Sequence, residues 1–273
     1  MLITENFVVL HQPKTGGTFV SDALLRIHGV VCNVRKIGKS TNLAFETPYG
    51  EFIVRGPKHN TGCDEIPEGH KRKTVLTTVR NPYDRYVSLY EFGWWKKEEY
   101  LDWYRKSMPD LDQRYPAFPD IDFTDYLRFA NRREIAAGTD IGIQTVGFIE
   151  RYFKDAKRVL AELDEDYFSS GRYRADMFDV HFLQTDRLNR DLHEFLLAVG
   201  YPAAEIAFIL ELEKVVPKAP PEGRSREGRS WKSYYSAQSL EFVRHRERHL
   251  LALFPDFELS AASVRQKSRQ TGS

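Results

Sequence analysis

The residues best suited to chemistry lie in one short run, His11-Gln12-Pro13-Lys14-Thr15-Gly16-Gly17-Thr18-Phe19. A lysine and two glycines stand between the apolar Val8-Val9-Leu10 and the helically spaced Phe19, Val20, Ala23, Leu24 and Ile27, so the pattern predicts strand, loop and helix. Such a junction suits an anion. The first amides of a helix have no intrahelical acceptor, the peptide dipoles add partial positive charge there, and glycine lets the main chain close around a phosphate. Lys14 adds a full charge. In the Walker A order, GxxxxGK[ST], lysine follows the last glycine and a Ser or Thr then holds magnesium. Here Lys14 precedes Gly16 and Gly17, which disfavours a magnesium-dependent phosphate-transferring enzyme such as a kinase.

A second run, Thr78-Val79-Arg80-Asn81-Pro82-Tyr83-Asp84-Arg85-Tyr86-Val87-Ser88, follows the clearest strand in the chain, Lys73 to Arg80. Asparagine can cap a helix and proline suits its first position, so Arg80 projects from a strand end and Ser88 lies early on the next helix. A guanidinium can give a forked pair of charge-assisted bonds to phosphate, and a hydroxyl adds a compact donor.

In this order the two runs resemble the 5′-phosphosulfate loop and the 3′-phosphate motif of sulfotransferases that use 3′-phosphoadenosine-5′-phosphosulfate (PAPS), in their carbohydrate-type or soluble bacterial branch. The resemblance implies a P-loop-like, three-layer α/β fold with a central, mainly parallel sheet flanked by helices. It implies that Lys14, Thr15, Gly16, Gly17, Thr18 and Phe19 hold the sulfated end of the donor, and that Arg80 and Ser88 hold its 3′-phosphate. The basic segment before Trp231, with Arg224, Arg226 and Arg229, looks like the family's late loop over the nucleotide. The implied reaction is transfer of a sulfuryl group to an acceptor hydroxyl, leaving 3′-phosphoadenosine 5′-phosphate (PAP), with no metal required. His59 is the expected general base: it follows the strand candidate Phe52-Ile53-Val54 and falls where the carbohydrate 2-O-sulfotransferase branch carries a catalytic histidine. Other branches use glutamate, so Glu46, Glu51 and Glu65 stay open, and His70 as well.

The elements that must position these groups are read from periodicity and turn signals. Val30 to Val34 reads as a short strand and residues 35–50 as polar and turn-rich. Ile121 to Ala137 and Ile149 to Leu163 read as helices around a loop from Gly138 to Gly147. Val180 to Gln184 reads as a strand, followed by Asp186, taken as structural, and a helix from Asn189 to Val199. A breaker-rich segment from Pro217 to Arg229 precedes a last helix from Ser236 to Phe254. Trp94, Trp95, Trp103 and Gln144 are candidates to meet the acceptor, with core packing as the alternative.

The chain has 273 residues, 41% of them hydrophobic, which suits one domain over residues 1–262 and a disordered polar tail over 263–273. A net charge of +1 gives no support to a nucleic-acid partner. Two cysteines, Cys32 and Cys63, are too few for a disulfide framework and have no metal-ligand spacing. There is no signal-peptide pattern and no apolar run long enough for a membrane span, so a cytoplasmic enzyme is expected. The expected acceptor is a carbohydrate or glycolipid hydroxyl; a small phenol or alcohol, or a non-catalytic PAP-binding protein, are the alternatives.

Overall fold

Apolar segments near the amino terminus start the sheet. β1 (Leu2–Ile3) turns through Thr4, Glu5 and Asn6 into β2 (Phe7–Leu10), which leads to α1 (Gly17–Ile27). The hairpin of β3 (Asn42–Thr47) and β4 (Gly50–Arg55) precedes β5 (Thr74–Val79). A run of helices follows: α2 (Pro82–Phe92), α3 (Glu98–Ser107), α4 (Leu111–Arg114), α5 (Phe123–Ala130), α6 (Ile143–Tyr152), α7 (Ala156–Glu162) and α8 (Tyr173–Asp176). The chain then forms β6 (Val180–Gln184), α9 (Leu188–Ala198), α10 (Ala203–Ile206), α11 (Ala237–Arg246) and α12 (Arg248–Leu253). This computed structural model describes residues 1–33, 38–57, 59, 61–132, 140–213 and 228–258. The expected tail, Arg224 and Arg226 lie outside the described residues.

Contacts divide the chain into two compact units, one within Met1–Arg80, Phe148–Tyr167 and Gly171–Val216, the other within Asn81–Gly147, Phe168–Ser170 and Pro217–Ser273. Because the chain passes between them several times, no linker marks the division in composition.

The first unit holds a six-stranded sheet in the order β3-β4-β1-β2-β5-β6. β2-β5 and β5-β6 pair parallel, whereas β1-β2, β1-β4 and β3-β4 pair antiparallel. The central sheet with flanking helices is as expected, but it is mixed rather than mainly parallel. The turns at Thr4–Asn6 and at Pro48-Tyr49 are too short for a crossover, so the chain can only reverse there. Alternation then splits each strand between two faces. Phe7, Val9, Leu76 and Leu183 join a core with Phe19, Ala23 and Leu24 of α1 and Leu192, Phe195 and Leu196 of α9. On the other face Thr77 meets Tyr152 of α6 through a 3.0 Å hydroxyl contact, and Phe182 stacks on Phe148 at 5.3 Å.

Several local expectations differ from the structure. Val30 to Asn33 is not a strand, and Val31 is fully exposed, with no partner strand to bury it. The polar 35–50 stretch contains β3, an edge strand whose outward residues need not be apolar. The helix expected from Ile149 to Leu163 is two helices, α6 and α7; α6 begins at Ile143, inside the expected loop.

The last expected helix is also two, α11 and α12, broken at Glu247. The second unit, which is helical, explains that break. Glu247 is completely buried and accepts four hydrogen bonds: Oε1 from the Tyr86 hydroxyl (2.5 Å) and the Gln144 amide (3.2 Å), Oε2 from the Thr145 amide (2.8 Å) and hydroxyl (2.7 Å). Burial pushes its carboxyl up, and these donors oppose the shift. The carboxylate thereby caps the first turn of α6, and a side chain at Gly142 would overlap it. Glutamine would turn an NH₂ toward a position surrounded by donors. Glu247→Gln is therefore expected to cost about 1–3 kcal/mol, read as a lower urea midpoint at unchanged slope; an unchanged midpoint would remove the capping role.

Candidate functional site

β2 and β5 lie side by side and run the same way, so the loop after β2 and the end of β5 share one edge of the sheet. The carboxyl ends of two such strands form a crevice in open α/β sheets. Lys14 and Arg80 come together at that edge. The Arg80 guanidinium donates to the Lys14 carbonyl oxygen at 3.0 Å. Lys14 itself has φ of 64°, in the left-handed region that non-glycine residues seldom occupy, at a cost of about 1 kcal/mol or more. Gly16 follows at φ 98°.

Threonines pin the loop beneath these cations. The Thr15 hydroxyl donates to the Gln12 carbonyl at 2.8 Å and lies 2.6 Å from the Thr78 hydroxyl. Thr185, just past β6, reaches the carbonyl oxygens of Thr15 (2.7 Å) and Val79 (2.9 Å), so one side chain ties the ends of three segments together. Leu188, at the start of α9, sits so close to Gly16 that a Cβ there would meet it at 2.6 Å. Asp186 is exposed; its neighbour Asp191 does the structural work, accepting from the Gln184 amide at 2.9 Å and from Arg187 at 3.1 Å.

The start of α1 is left open to an anion. Gly16 offers no side-chain cap and no acidic residue stands in the first turn, whereas Asn81 caps α2 by accepting from the Tyr83 amide at 3.0 Å. Desolvation, and then the charge of Arg80, lower Lys14 from 10.5 to about 8. Arg80 therefore disfavours the charged form of Lys14, and a bound anion would favour it.

His59 is exposed and stands edge-on to His11, ring centroids 4.5 Å apart. His11 in turn covers Gly17, where a Cβ would meet the imidazole carbons at 2.9 Å. The order glycine loop, His11, His59 links the candidate base to the candidate anion site. Gly17→Ala tests that link, because its backbone needs no left-handed angle. The added methyl is expected to displace the His11 ring, shift the NMR signals of both imidazoles, and cost about 1–2 kcal/mol of stability. Unperturbed His59 signals would show that the two rings are independent.

The remaining base candidates fare differently. Glu46 and Glu51 pair across the β3-β4 hairpin near its turn, at the sheet edge opposite the loop, since Val54 rather than Glu51 is level with Val9. His70 precedes β5 and so belongs to that opposite edge too. All three are corrected on this ground. The Glu65 carboxylate accepts from the Gly62 amide at 2.9 Å, a local turn cap.

The Phe19 ring is core, and its amide belongs to the first turn of α1, so the expected donor contact would run through the main chain. Trp95 is completely buried, stacked on Tyr126 at 4.5 Å, and cannot meet an acceptor. Gln144 is buried as well, donating to the Pro82 carbonyl at 3.0 Å. Trp94 is half-buried, edge-on to Tyr100 at 5.2 Å, and Trp103 is exposed on α3. Ser88 is half-buried on α2, and Arg229 lies 4.0 Å from Glu91 with its guanidinium over Tyr234. Both belong to the second unit. His11 and Thr78 stand within the two runs but carry no role of their own in the sequence, and Thr185 lies outside both; the adjacency of His11 to the glycine loop is the one signal for it.

Among the described residues no group of three or more His, Cys, Asp or Glu is placed to hold a metal ion, and no helix is long and apolar enough to cross a membrane. No family model and no curated protein matches the chain. Among solved structures, mouse sulfotransferase SULT7A1 complexed with PAP is similar with a TM-score of 0.42 and 12% identity, over 99% of this chain and 90% of that one. This is a likeness in outline, and the reading of the site rests on the chain's own residues.

Proposed function

We propose that this protein is a PAPS-dependent sulfotransferase that sulfates a hydroxyl on a carbohydrate or glycolipid. The observation that carries the reading is the meeting of Lys14 and Arg80 around one glycine loop at the carboxyl edge of β2 and β5. These residues fit the donor's two charged ends: Lys14 and the helix start without a side-chain cap suit the sulfated 5′ end, and the Arg80 guanidinium suits the 3′-phosphate. The donor, when bound, supplies the sulfuryl group and a phosphate leaving group.

Lys14 and the amides of Gly17 and Thr18 would neutralise the charge that grows on the leaving oxygen, by analogy with the loose, in-line transition state of phosphoryl transfer. His59 would take the proton from the acceptor hydroxyl, which is scarcely ionised at neutral pH. Ser88 and the late-loop arginines Arg224, Arg226 and Arg229 are assigned to the nucleotide by the sequence resemblance alone, and Trp94 and Trp103 stay as candidate acceptor contacts. A cytoplasmic location is part of the same proposal.

A calorimetric titration with PAP, run beside one with ATP and magnesium, tests the reading. PAP is expected to bind with one-to-one stoichiometry and ATP with magnesium at least tenfold more weakly; the reverse order would point to a kinase. A screen of saccharide, glycolipid and phenolic acceptors with radiolabelled donor then names the hydroxyl, and transfer to phenols alone would replace the carbohydrate assignment.

A further inference from the structure

We propose that β3 is a docking edge at which a second copy of this chain adds its own β3, antiparallel and related by a twofold axis, so that two sheets become one. Among the described residues β3 is the outer strand of the six-stranded sheet. The Thr41 carbonyl accepts from the Gly56 amide at 2.8 Å, so the main chain at Thr41 faces the β4 side. Backbone direction alternates along a strand, which sets Leu43, Phe45 and Thr47 toward β4 as well and turns the N–H and C=O groups of Asn42, Ala44 and Glu46 outward. Asn42, Leu43, Ala44 and Glu46 are exposed in the folded chain.

Edge strands are ordinarily blunted by lysine, proline or a bulge. Asn42-Leu43-Ala44-Phe45-Glu46-Thr47 carries neither lysine nor proline, and its register against β4 runs residue for residue from Asn42–Arg55 to Thr47–Gly50, with no bulge. At the opposite edge, by contrast, the last amide of β6, that of Gln184, donates to the Asp191 carboxylate at 2.9 Å.

The residues of β3 complement one another about a twofold axis. Pairing centred on Ala44 sets Asn42 opposite the partner's Glu46 and Glu46 opposite the partner's Asn42, each pair exchanging both main-chain hydrogen bonds. Every outward amide and carbonyl of β3 then has an acceptor or donor. The side chains match in the same register. Asn42 offers its NH₂ to a carboxylate, and Glu46, which already stands across from Glu51 in the hairpin, suits a neutral donor better than another acid. Leu43, 46% exposed, meets the partner's Phe45, and the small Ala44 allows close approach at the axis. One added strand makes a small interface, so the dimer is expected to be weak and concentration-dependent. The pairing uses the sheet edge alone and stands or falls apart from the sulfotransferase reading.

Sedimentation velocity on the full-length chain, over about a hundredfold range of concentration, is expected to show monomer passing into dimer. In the dimer the amides of Asn42, Ala44 and Glu46 should slow in hydrogen exchange, while those of Leu43 and Phe45, already turned to β4, keep their rates. Asn42→Glu, which sets two carboxylates opposite each other at two symmetric places, is expected to weaken the dimer about tenfold or more. Asn42→Lys, which sets an ammonium opposite Glu46 instead, is expected to leave it as tight or tighter. A monomer at every concentration overturns the proposal and would leave the edge to a strand from another protein. A dimer without protection at Asn42, Ala44 and Glu46 overturns it too, as does one that the two substitutions weaken alike.

Discussion

Lys14→Met is expected to make the protein more stable at pH 7 and to weaken donor binding. The ammonium is half-buried, and burial together with Arg80 brings it down to about 8. In the unfolded chain it returns to its ordinary 10.5. Below pH 8 the group is charged in both states, so the whole cost of holding that charge beside Arg80 falls on the folded form. Between 8 and 10.5 the unfolded chain binds more protons, and stability therefore rises with pH. Discounted for partial exposure, the methionine variant should gain about 1–3 kcal/mol at neutral pH. The gain should vanish above pH 10.5.

The same group sets the pH dependence of binding. An anion at the loop favours the charged lysine, so above pH 8 binding must take up a proton and PAP affinity should fall up to about tenfold per pH unit. In the proposed reaction the loss of this preorganised donor costs a factor of about 10² to 10³ in turnover. Calorimetry and a urea melt over pH 6 to 11 read both effects. A variant no more stable than the parent at pH 7 would show that Lys14 bears no strain in the ligand-free protein.

The second large effect is expected at His59. His59→Ala should lower turnover by a factor of about 10² to 10⁴, the usual contribution of a positioned base, while PAP binding stays within about twofold. The separation follows from position: His59 stands against His11, whose ring covers Gly17, whereas donor binding is assigned to Lys14 and Arg80. Because the imidazole is exposed, added imidazole should restore part of the rate in the alanine variant. Glu46→Gln, Glu51→Gln and His70→Ala, on the far edge of the sheet, should leave turnover unchanged. Near-normal turnover in His59→Ala would end its assignment as the base.

Local chemistry made much of this legible in the residues themselves. Val8 to Leu10 followed by glycines and a periodic apolar face admits little besides strand, loop and helix, and Asn81-Pro82 announces its own cap, because those signals act over a turn or less. β6 and α9 were equally readable, each bounded by residues that favour its ends. Which groups share a site was decided elsewhere. The antiparallel half of the sheet, the edge on which His59 and Glu51 separate, and the burial of Trp95 and Gln144 all depend on which strand or helix lies alongside, across tens of residues. Glu247 illustrates the same limit from the core: a glutamate in a helical pattern reads as solvated surface, and only four donors brought from distant segments make it a buried cap. Periodicity reports the face a residue turns, and packing chooses what meets that face.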